Sequence, residues 1–401
     1  MKKYFVVPAV VVLMFSSQGW ASGISKPVII GAKAIGMGGA FTAVADDPTA
    51  IFHNPAGITQ LKGHHFYLGM DSLLTKLDYT PPGGSTESAK KEFLPVPNFA
   101  YTTDIAGPVH LGVGVYFPHG NGGKFDSASA VVSNPLEGRI YSLEIAPTAA
   151  MEIVPGLSLG ASLRVVRIQT KLKGQLLILP AGLGGGTDTL DDFNVKGWGV
   201  GASAGLLAKP ADWIAIGANY RSKVKTKLDG DGELAAAGAF DAEFTQILPT
   251  LVTAGVAVTP IDILTIALGY GFEHNSEIKE FVVSSPQFPT DLTLAQNWKD
   301  SHTIHVGVEA RPHDHIAIRA GYARDFNESI PDTVMNRITG DIDAHETSVG
   351  LGYIRERYSI NGTWNARFGK RDVPVDGTNN VGPGNYDGFV QSITLGVGYT
   401  I

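Results

Sequence analysis

The chain has 401 residues, no cysteine and a formal net charge of −7, with only 17% of its residues charged. Without cysteine, a disulfide framework and a thiolate metal site are excluded, and the acidic balance with no basic stripe argues against nucleic acid as a partner. Glycine is abundant at 49 residues. Beyond the first residues no apolar run reaches the length of a membrane helix, so an exported, mildly apolar chain of this kind would cross a bilayer with strands.

The opening "MKKYFVVPAVVVLMFSSQGWAS" has a basic start at Lys2 and Lys3, an apolar run from Val6 to Phe15, and small residues at Gly19 and Ala21. It reads as a secretory signal peptide over residues 1–21, cleaved after Ala21. Residues 22–63 follow, rich in glycine and alanine, with "GAKAIGMGGAF" leading into "AVADDPTAIFHNPAGITQL". Two acids and two prolines, Pro48 and Pro55, make this stretch neither a clean helix nor a clean strand. Placed ahead of a barrel, it has the lumen to occupy, where it would act as a hatch. The hatch candidates are Asp46, Asp47, Asn54, Pro55 and Ala56, since short polar side chains beside proline bond backbone groups and keep a segment compact.

From residue 64 onward the pattern has period two. In "HLGVGVYF", Leu111, Val113, Val115 and Phe117 share one face, and in "SITLGVGYTI" Ile393, Leu395, Val397, Tyr399 and Ile401 do the same. One greasy face against one small or polar face suits a wall between lipid and lumen. Short breaks at Gly107-Pro108, Pro155-Gly156, Pro210-Ala211-Asp212, Pro260-Ile261-Asp262, Pro312-His313-Asp314 and Arg355-Glu356-Arg357 recur every 45 to 55 residues or so, each interval holding two strand-like runs. Six such turns join seven hairpins, 2 × 7 = 14 strands. The predicted strand cores start near His65, Asn98, His110, Ser142, Leu157, Val195, Trp213, Glu243, Ile263, Trp298, His315, His345, Tyr358 and Phe389. The expected fold is therefore all-β: a 14-stranded antiparallel transmembrane β-barrel over 64–401 with an N-terminal hatch in its lumen. Long loops are expected outside the cell near 74–97, 118–141, 171–194, 228–242, 276–297, 326–342 and 368–388. Tyr116, Phe117, Trp198, Trp213, Tyr220, Tyr270, Trp298, Tyr322, Tyr353, Trp364 and Tyr399 are candidates for interface girdles, and ordinary strand propensity would place them equally well.

The stretch "GMGGAFTAVADDPTAIFHNPAGIT" resembles the N-terminal hatch of the FadL/TodX (OmpP1/FadL) family, outer-membrane transporters of long-chain fatty acids and other hydrophobic compounds, with Ala-Asp-Asp at 45–47 and Asn-Pro-Ala at 54–56 in matching positions. Further similarity lies in "WGVGASAGLL", "YRSKVKTKLDG", "ILPTLVTAGVAV", "WKDSHTIHVGVEA" and "IAIRAGYARDFNESIPD". The resemblance implies a monomeric barrel in the bacterial cell outer membrane, among outer-membrane lipids and lipopolysaccharide, that takes up hydrophobic molecules passively. Ligand would be captured outside, pass inward as the hatch rearranges, and leave through a lateral opening beside a kink in the third strand, "HLGVGVYFPHG". There Gly112, Gly114 and Pro118 are the positions where pairing would break. Barrel insertion machinery commonly reads a terminal aromatic residue; this sequence departs from that with Tyr399-Thr400-Ile401, where either Tyr399 serves or the ending is a tolerated variant.

Capture needs apolar surface outside the membrane. Leu176, Leu177, Ile178, Leu179 and Leu183 in "QLLILPAGL" offer it, with Leu234 and Phe240 as an opposing wall. A fatty acid would add a carboxylate, for which Arg167, Lys171, Lys173 and Lys299 are the candidate head-group contacts. "LTLAQN" before Trp298 lacks the basic residue expected of a fatty-acid member, which leaves room for aromatic hydrocarbons or alkanes. Catalytic, cofactor and metal sites are not expected: His302 and His305 face opposite sides of a strand, and no nucleophile, base and acid assemble by spacing. The rival readings are a nonspecific porin and a structural or adhesive surface barrel.

Overall fold

The computed structural model describes residues 29–91, 93–125, 136–178, 187–326, 328–337, 341–375 and 382–401. The expected signal peptide, Leu179 and Leu183 lie outside the described residues. The wall is a closed antiparallel barrel of fourteen strands. In chain order these are β1 (His64–Thr80), β2 (Phe93–Ala106), β3 (Val109–Tyr116 with Gly120–Phe125), β4 (Leu136–Val154) and β5 (Leu157–Lys173). Next come β6 (Thr187–Ala211), β7 (Ile214–Arg221 with Val224–Leu234), β8 (Gly238–Leu248 with Leu251–Ile261), β9 (Leu264–Glu273) and β10 (Ser301–His313). The last four are β11 (Ile316–Phe326), β12 (Ala344–Arg355), β13 (Tyr358–Val373) and β14 (Gly384–Thr400). β14 closes on β1 in unbroken register from His65–Thr400 to Thr80–Asn385, so the first and last strands leave no free edge at the closure.

Alternation sets the two faces. On β1, Leu68, Met70 and Leu74 are exposed while Tyr67, Leu77 and Tyr79 are buried. On β14, Ile393, Leu395 and Val397 are exposed and Thr394 is fully buried. Lipid replaces water on the outer face, so these exposed aliphatic side chains are satisfied there. Trp198, Trp213, Tyr220, Tyr270, Tyr322, Tyr353 and Trp364 are exposed on the same surface. Tyr116 and Trp298 correct the girdle expectation: both are buried in the interior, because Tyr116 falls on the inward parity of β3 and Trp298 precedes β10 rather than belonging to it.

The strands rise higher than the periodicity suggests. The expected loop 228–242 is for the most part a continuous hairpin, with Val224–Leu248 through Leu234–Gly238 in register. Gln175–Ile178 pairs with Thr187–Leu190, extending the β5–β6 hairpin outward. Inward residues remain apolar there, Leu228 and Leu234 on β7 and Phe240 and Phe244 on β8, so pairing continues beyond the membrane instead of giving way to a polar loop.

Candidate functional site

Inside the wall sits the N-terminal segment. It forms α1 (Ala32–Gly36), α2 (Ala50–His53) and a 3-10 turn at Pro55–Gln60, and its apolar residues Ile30, Met37, Phe41, Ile51 and Ile58 are all buried. Helices this short do not stand alone; they persist because the wall encloses them. Asn54 holds the segment together. Its Nδ2 donates to the Thr42 carbonyl at 2.8 Å and to the Leu206 carbonyl of β6 at 2.9 Å, while its Oδ1 accepts from the Ala56 N–H at 3.2 Å. Pro55 then opens the turn at a position where no N–H is needed. Asp47 accepts from the Thr49 N–H at 2.8 Å and from the Thr49 hydroxyl, and burial nevertheless pushes its carboxyl above the usual range. Asp46 takes the Lys33 ammonium at 2.7 Å.

The wall makes room for this backbone with glycine. From β5 to β12 every strand sets one glycine against the segment: Gly160, Gly205, Gly217, Gly255, Gly269, Gly307, Gly321 and Gly350. Several lie directly opposite one another across strands, Gly160 with Gly205, Gly217 with Gly255, Gly255 with Gly269, and Gly307 with Gly321, so they form a belt. A Cβ at Gly307 would stand 2.5 Å from the Met37 carbonyl oxygen, and one at Gly321 would fall on the Gly38 backbone.

Two charge networks anchor the segment to the wall. Glu144 on β4 is fully buried between Arg164 of β5 at 2.9 Å and Arg221 of β7 at 2.8 Å. Arg221 also donates to the Phe52 carbonyl at 3.2 Å and lies over the Phe52 ring at 4.1 Å. Towards the short turns, Lys33 reaches Glu309 of β10 at 3.3 Å, and Glu309 is held by Arg319 of β11 at 2.6 Å. Beside Phe52, the His53 Nε2–H donates to the Ile30 carbonyl at 2.7 Å. Burial first, then Arg221, lowers His53 to about 4, so the ring is neutral at physiological pH. A recess of about 70 Å³ remains above the segment, bounded by Phe52, His53, Asn219, Thr253, Thr303 and His305.

Above that recess the lumen turns apolar. Leu228, Leu234, Phe240, Phe244, Trp298 and Ile330 belong to one buried cluster that draws on strands around the barrel and on its outer loops. Leu234 and Phe240 are thus inward hairpin residues rather than members of a long loop. Leu176, Leu177 and Ile178 lie on the outer strand Gln175–Ile178. Arg167, Lys171 and Lys173 alternate with buried Val166, Ile168 and Thr170, so they face away from the chamber, and Lys299 is exposed at the outer rim. Sequence reasoning missed Phe244, Trp298 and Arg337. Arg337 pairs with Glu87 and lies 5.3 Å from both the Tyr79 and Phe125 rings. The alternation "FDAEFTQIL" carried a signal for Phe244; an arginine in a polar loop gave none.

The loop over the chamber is clamped by a buried acid. Asp341 Oδ2 accepts from the Ile330 N–H at 2.6 Å and Arg371 Nη1 lies at 3.3 Å, while Oδ1 has no hydrogen-bond partner among the described residues. Burial outweighs these donors and raises Asp341 to about 7. A raised carboxyl pKa stabilises the closed form while the acid is protonated, and that contribution declines as pH climbs from the ordinary carboxylate range through about 7. Amide hydrogen exchange at 328–337, corrected for intrinsic rate, is expected to quicken on the order of a hundredfold between pH 5 and pH 8. Asp341→Asn should abolish that pH response; an unchanged response in the variant would refute the assignment.

The third strand is broken. Pairing is regular at Gly112 and Gly114, and the interruption falls at Phe117, Pro118 and His119. The β2–β3 ladder ends at Phe99–Val115, whereas the second piece, Gly120–Phe125, pairs with β4. Phe93–Asn98 pairs with β1, and among the described residues no ladder to β3 is formed there. Proline cannot donate to a ladder, and the wall here is open in its backbone pairing.

A family profile described as outer membrane protein transport protein (OMPP1/FadL/TodX) matches residues 12–392. The long-chain fatty acid transport protein of Escherichia coli O6:H1 is 27% identical over 248 residues, 56% of this chain and 55% of that one. A putative outer membrane protein of Neisseria meningitidis serogroup B is 27% identical over 228 residues, 50% of this chain and 49% of that one. In these matches the chain spans about half the length of the curated relatives. Among solved structures, a Pseudomonas aeruginosa FadL homologue superposes with a TM-score of 0.81 at 18% identity, covering 94% of this chain and 99% of that one. The P. putida toluene transporter TodX gives 0.73 at 18%, covering 93% and 98%. The Ralstonia pickettii toluene transporter TbuX gives 0.70 at 19%, covering 93% and 98%. At these identities the structures establish a shared fold.

Proposed function

We propose that this chain, which belongs to the OMPP1/FadL/TodX family of outer membrane transport proteins, carries hydrophobic molecules passively inward across the bacterial outer membrane. The observation that carries this reading is the stacking of an apolar cluster on a polar-bonded luminal segment, with a small recess beside Phe52 and a wall whose backbone pairing is broken at Phe117 to His119. A molecule entering from outside is held among Leu234, Phe240, Phe244 and their neighbours, where each buried methylene contributes about 0.8 kcal/mol. Residues 22–63 act as the hatch and block a straight aqueous route. Movement near Asn54 and Phe52 then passes the ligand towards the interruption at Pro118, from which it leaves sideways into the membrane. In this scheme Leu176 to Leu183 serve as outer capture surface.

The preferred cargo is uncharged. The cations within the chamber wall are already engaged, Arg337 by Glu87 and Arg371 by Asp332 at 2.7 Å, while Arg167, Lys171 and Lys173 face the other way. Aromatic hydrocarbons, as named for TodX and TbuX, or alkanes fit better than a fatty-acid carboxylate, which is the substrate named for the E. coli relative. Mass spectrometry of small molecules copurifying with the barrel is expected to find neutral hydrophobic compounds. Leu234→Ser with Phe240→Ser should lower uptake of such a compound at least roughly tenfold in a barrel that still shows heat-modifiable migration. Undiminished uptake by that variant, or large ion conductance in the intact protein as a porin would give, would remove the proposal.

A further inference from the structure

We infer that the outward face of β4, β5 and β6 at the outer rim is a binding site for the phosphate groups of lipopolysaccharide, the phosphorylated glycolipid of the outer leaflet. On β5 the positions of outward parity read Leu159, Leu163 and Val165, and then change to Arg167, Gln169, Lys171 and Lys173, of which Arg167 is half-buried, Gln169 is buried against its neighbours and the two lysines are exposed. That change marks the upper edge of the hydrocarbon band. Trp198 of β6, directly opposite Arg167 and 56% exposed, sits at the same edge, where tryptophan is favoured at a membrane–water interface. Above it the cations gather. Arg139 of β4 stands opposite Lys171, and Lys196 of β6 stands opposite Gln169.

Successive outward residues on a strand are about 6.7 Å apart and neighbouring strands about 4.8 Å, so Arg139, Lys171, Lys173 and Lys196 lie within the span of one phosphorylated head group. Arg139 is tied to Glu137 at 2.6 Å. Arg167, Lys171, Lys173 and Lys196 make no ion pair among the described residues. The bordering carboxylates are Glu137, Asp192 and Asp229; next to them β7 carries the exposed Lys225 and Lys227, the latter paired with Glu243 of β8 at 2.8 Å, and the rim beyond carries Asp231, Glu233 and Asp241. Like charges placed directly across strands, as Arg139 and Lys171 are, repel. A shared anion removes that repulsion. In a chain of net charge −7, four cations, Arg167, Lys171, Lys173 and Lys196, are thus gathered on two neighbouring strands without a protein counter-ion among the described residues, facing the phosphate layer of the leaflet into which the barrel is inserted. Charged residues near a membrane surface act on anionic head groups through this complementarity.

The test uses the full-length barrel in detergent, titrated by native mass spectrometry with bisphosphorylated lipid A, dephosphorylated lipid A and phosphatidylglycerol. The wild type is expected to hold bisphosphorylated lipid A at least roughly tenfold more tightly than either other lipid. The triple variant Lys171→Gln, Lys173→Gln, Lys196→Gln should lose at least that factor, while Lys76→Gln with Lys370→Gln, at ion-paired lysines on the other side of the rim, should match the wild type. Equal binding of dephosphorylated lipid A, or undiminished binding by the triple variant, would overturn the inference. Equally tight binding of phosphatidylglycerol would assign the patch to phospholipid and also overturn it. If the triple variant does not fold, the wild-type preference among the three lipids decides, together with Lys171→Arg and Lys196→Arg, which should retain binding.

Discussion

Glu144→Ala is expected to destabilise the barrel by about 3–5 kcal/mol, the usual cost of removing one partner from a buried ion pair. Arg164 and Arg221 would be left facing each other with their shared carboxylate gone, since both lie within 3 Å of it. The damage should reach the luminal segment as well, because Arg221 bonds the Phe52 carbonyl and covers its ring. Denaturant unfolding in detergent micelles measures the loss, and protease nicking within residues 29–63 reads the loosening. Replacing Glu144, Arg164 and Arg221 together by Leu, Met and Met should recover much of the stability, since a packed apolar set often equals a buried ion triad. The same triple replacement should leave the segment more mobile than in the wild type. A single Glu144→Ala barrel as stable as the wild type would show that the triad does not anchor the fold.

Deleting residues 22–63 should convert a nearly closed barrel into a conducting one, raising single-channel conductance in planar bilayers at least roughly tenfold, as expected when an enclosed segment leaves a barrel of this strand number. At the level of the belt from β5 to β12 the wall offers glycines where the segment passes, so little side-chain volume stands ready to fill the space that the segment vacates. Gly321→Val offers a gentler version: its side chain would collide with the Gly38 backbone, displacing the segment without shortening the chain. Gly362→Ala is the matched control, because a Cβ there meets only the Leu395 side chain at 3.6 Å. Conductance that stays low in the deletion would mean that something other than this segment closes the lumen.

Much of the wall was legible in the sequence. Period-two alternation and the short turns at Gly107-Pro108, Pro155-Gly156 and their successors led to fourteen strands, and fourteen are present. Strand heights were less legible, because the outer lumen is apolar and inward residues such as Phe240 and Phe244 carry the alternation on above the membrane, while the outward positions turn polar with Asp241 and Glu243 and so read as a loop. The same cause hid which way Arg167, Lys171 and Lys173 point. Their parity matches Leu163 and Val165, but Val166 and Ile168 on the other face are equally apolar, so nothing local said which face met lipid. The glycines were visible, yet their purpose depends on a backbone passing many residues away in sequence. Asn54 was singled out for its capacity to bond backbone, and the partner it finds on β6, the Leu206 carbonyl, lies beyond any local pattern.

The seam between β1 and β14 bears on the order in which the molecule is made. It joins the first strand of the wall to the last, with the Ile401 N–H donating to the His64 carbonyl at its inner end, and such a pairing carries the greatest loop-closure cost in the chain. The segment it encloses lies against the glycine belt from β5 to β12 through backbone contacts too close for threading. Assembly therefore has a required sequence: the earliest residues of the barrel domain must be folded and in position while the sheet is still an open, curling ribbon, and the final strand then locks them in. A mutation that slows docking of residues 29–63 would be felt first as failed biogenesis, before any fault in transport could be measured.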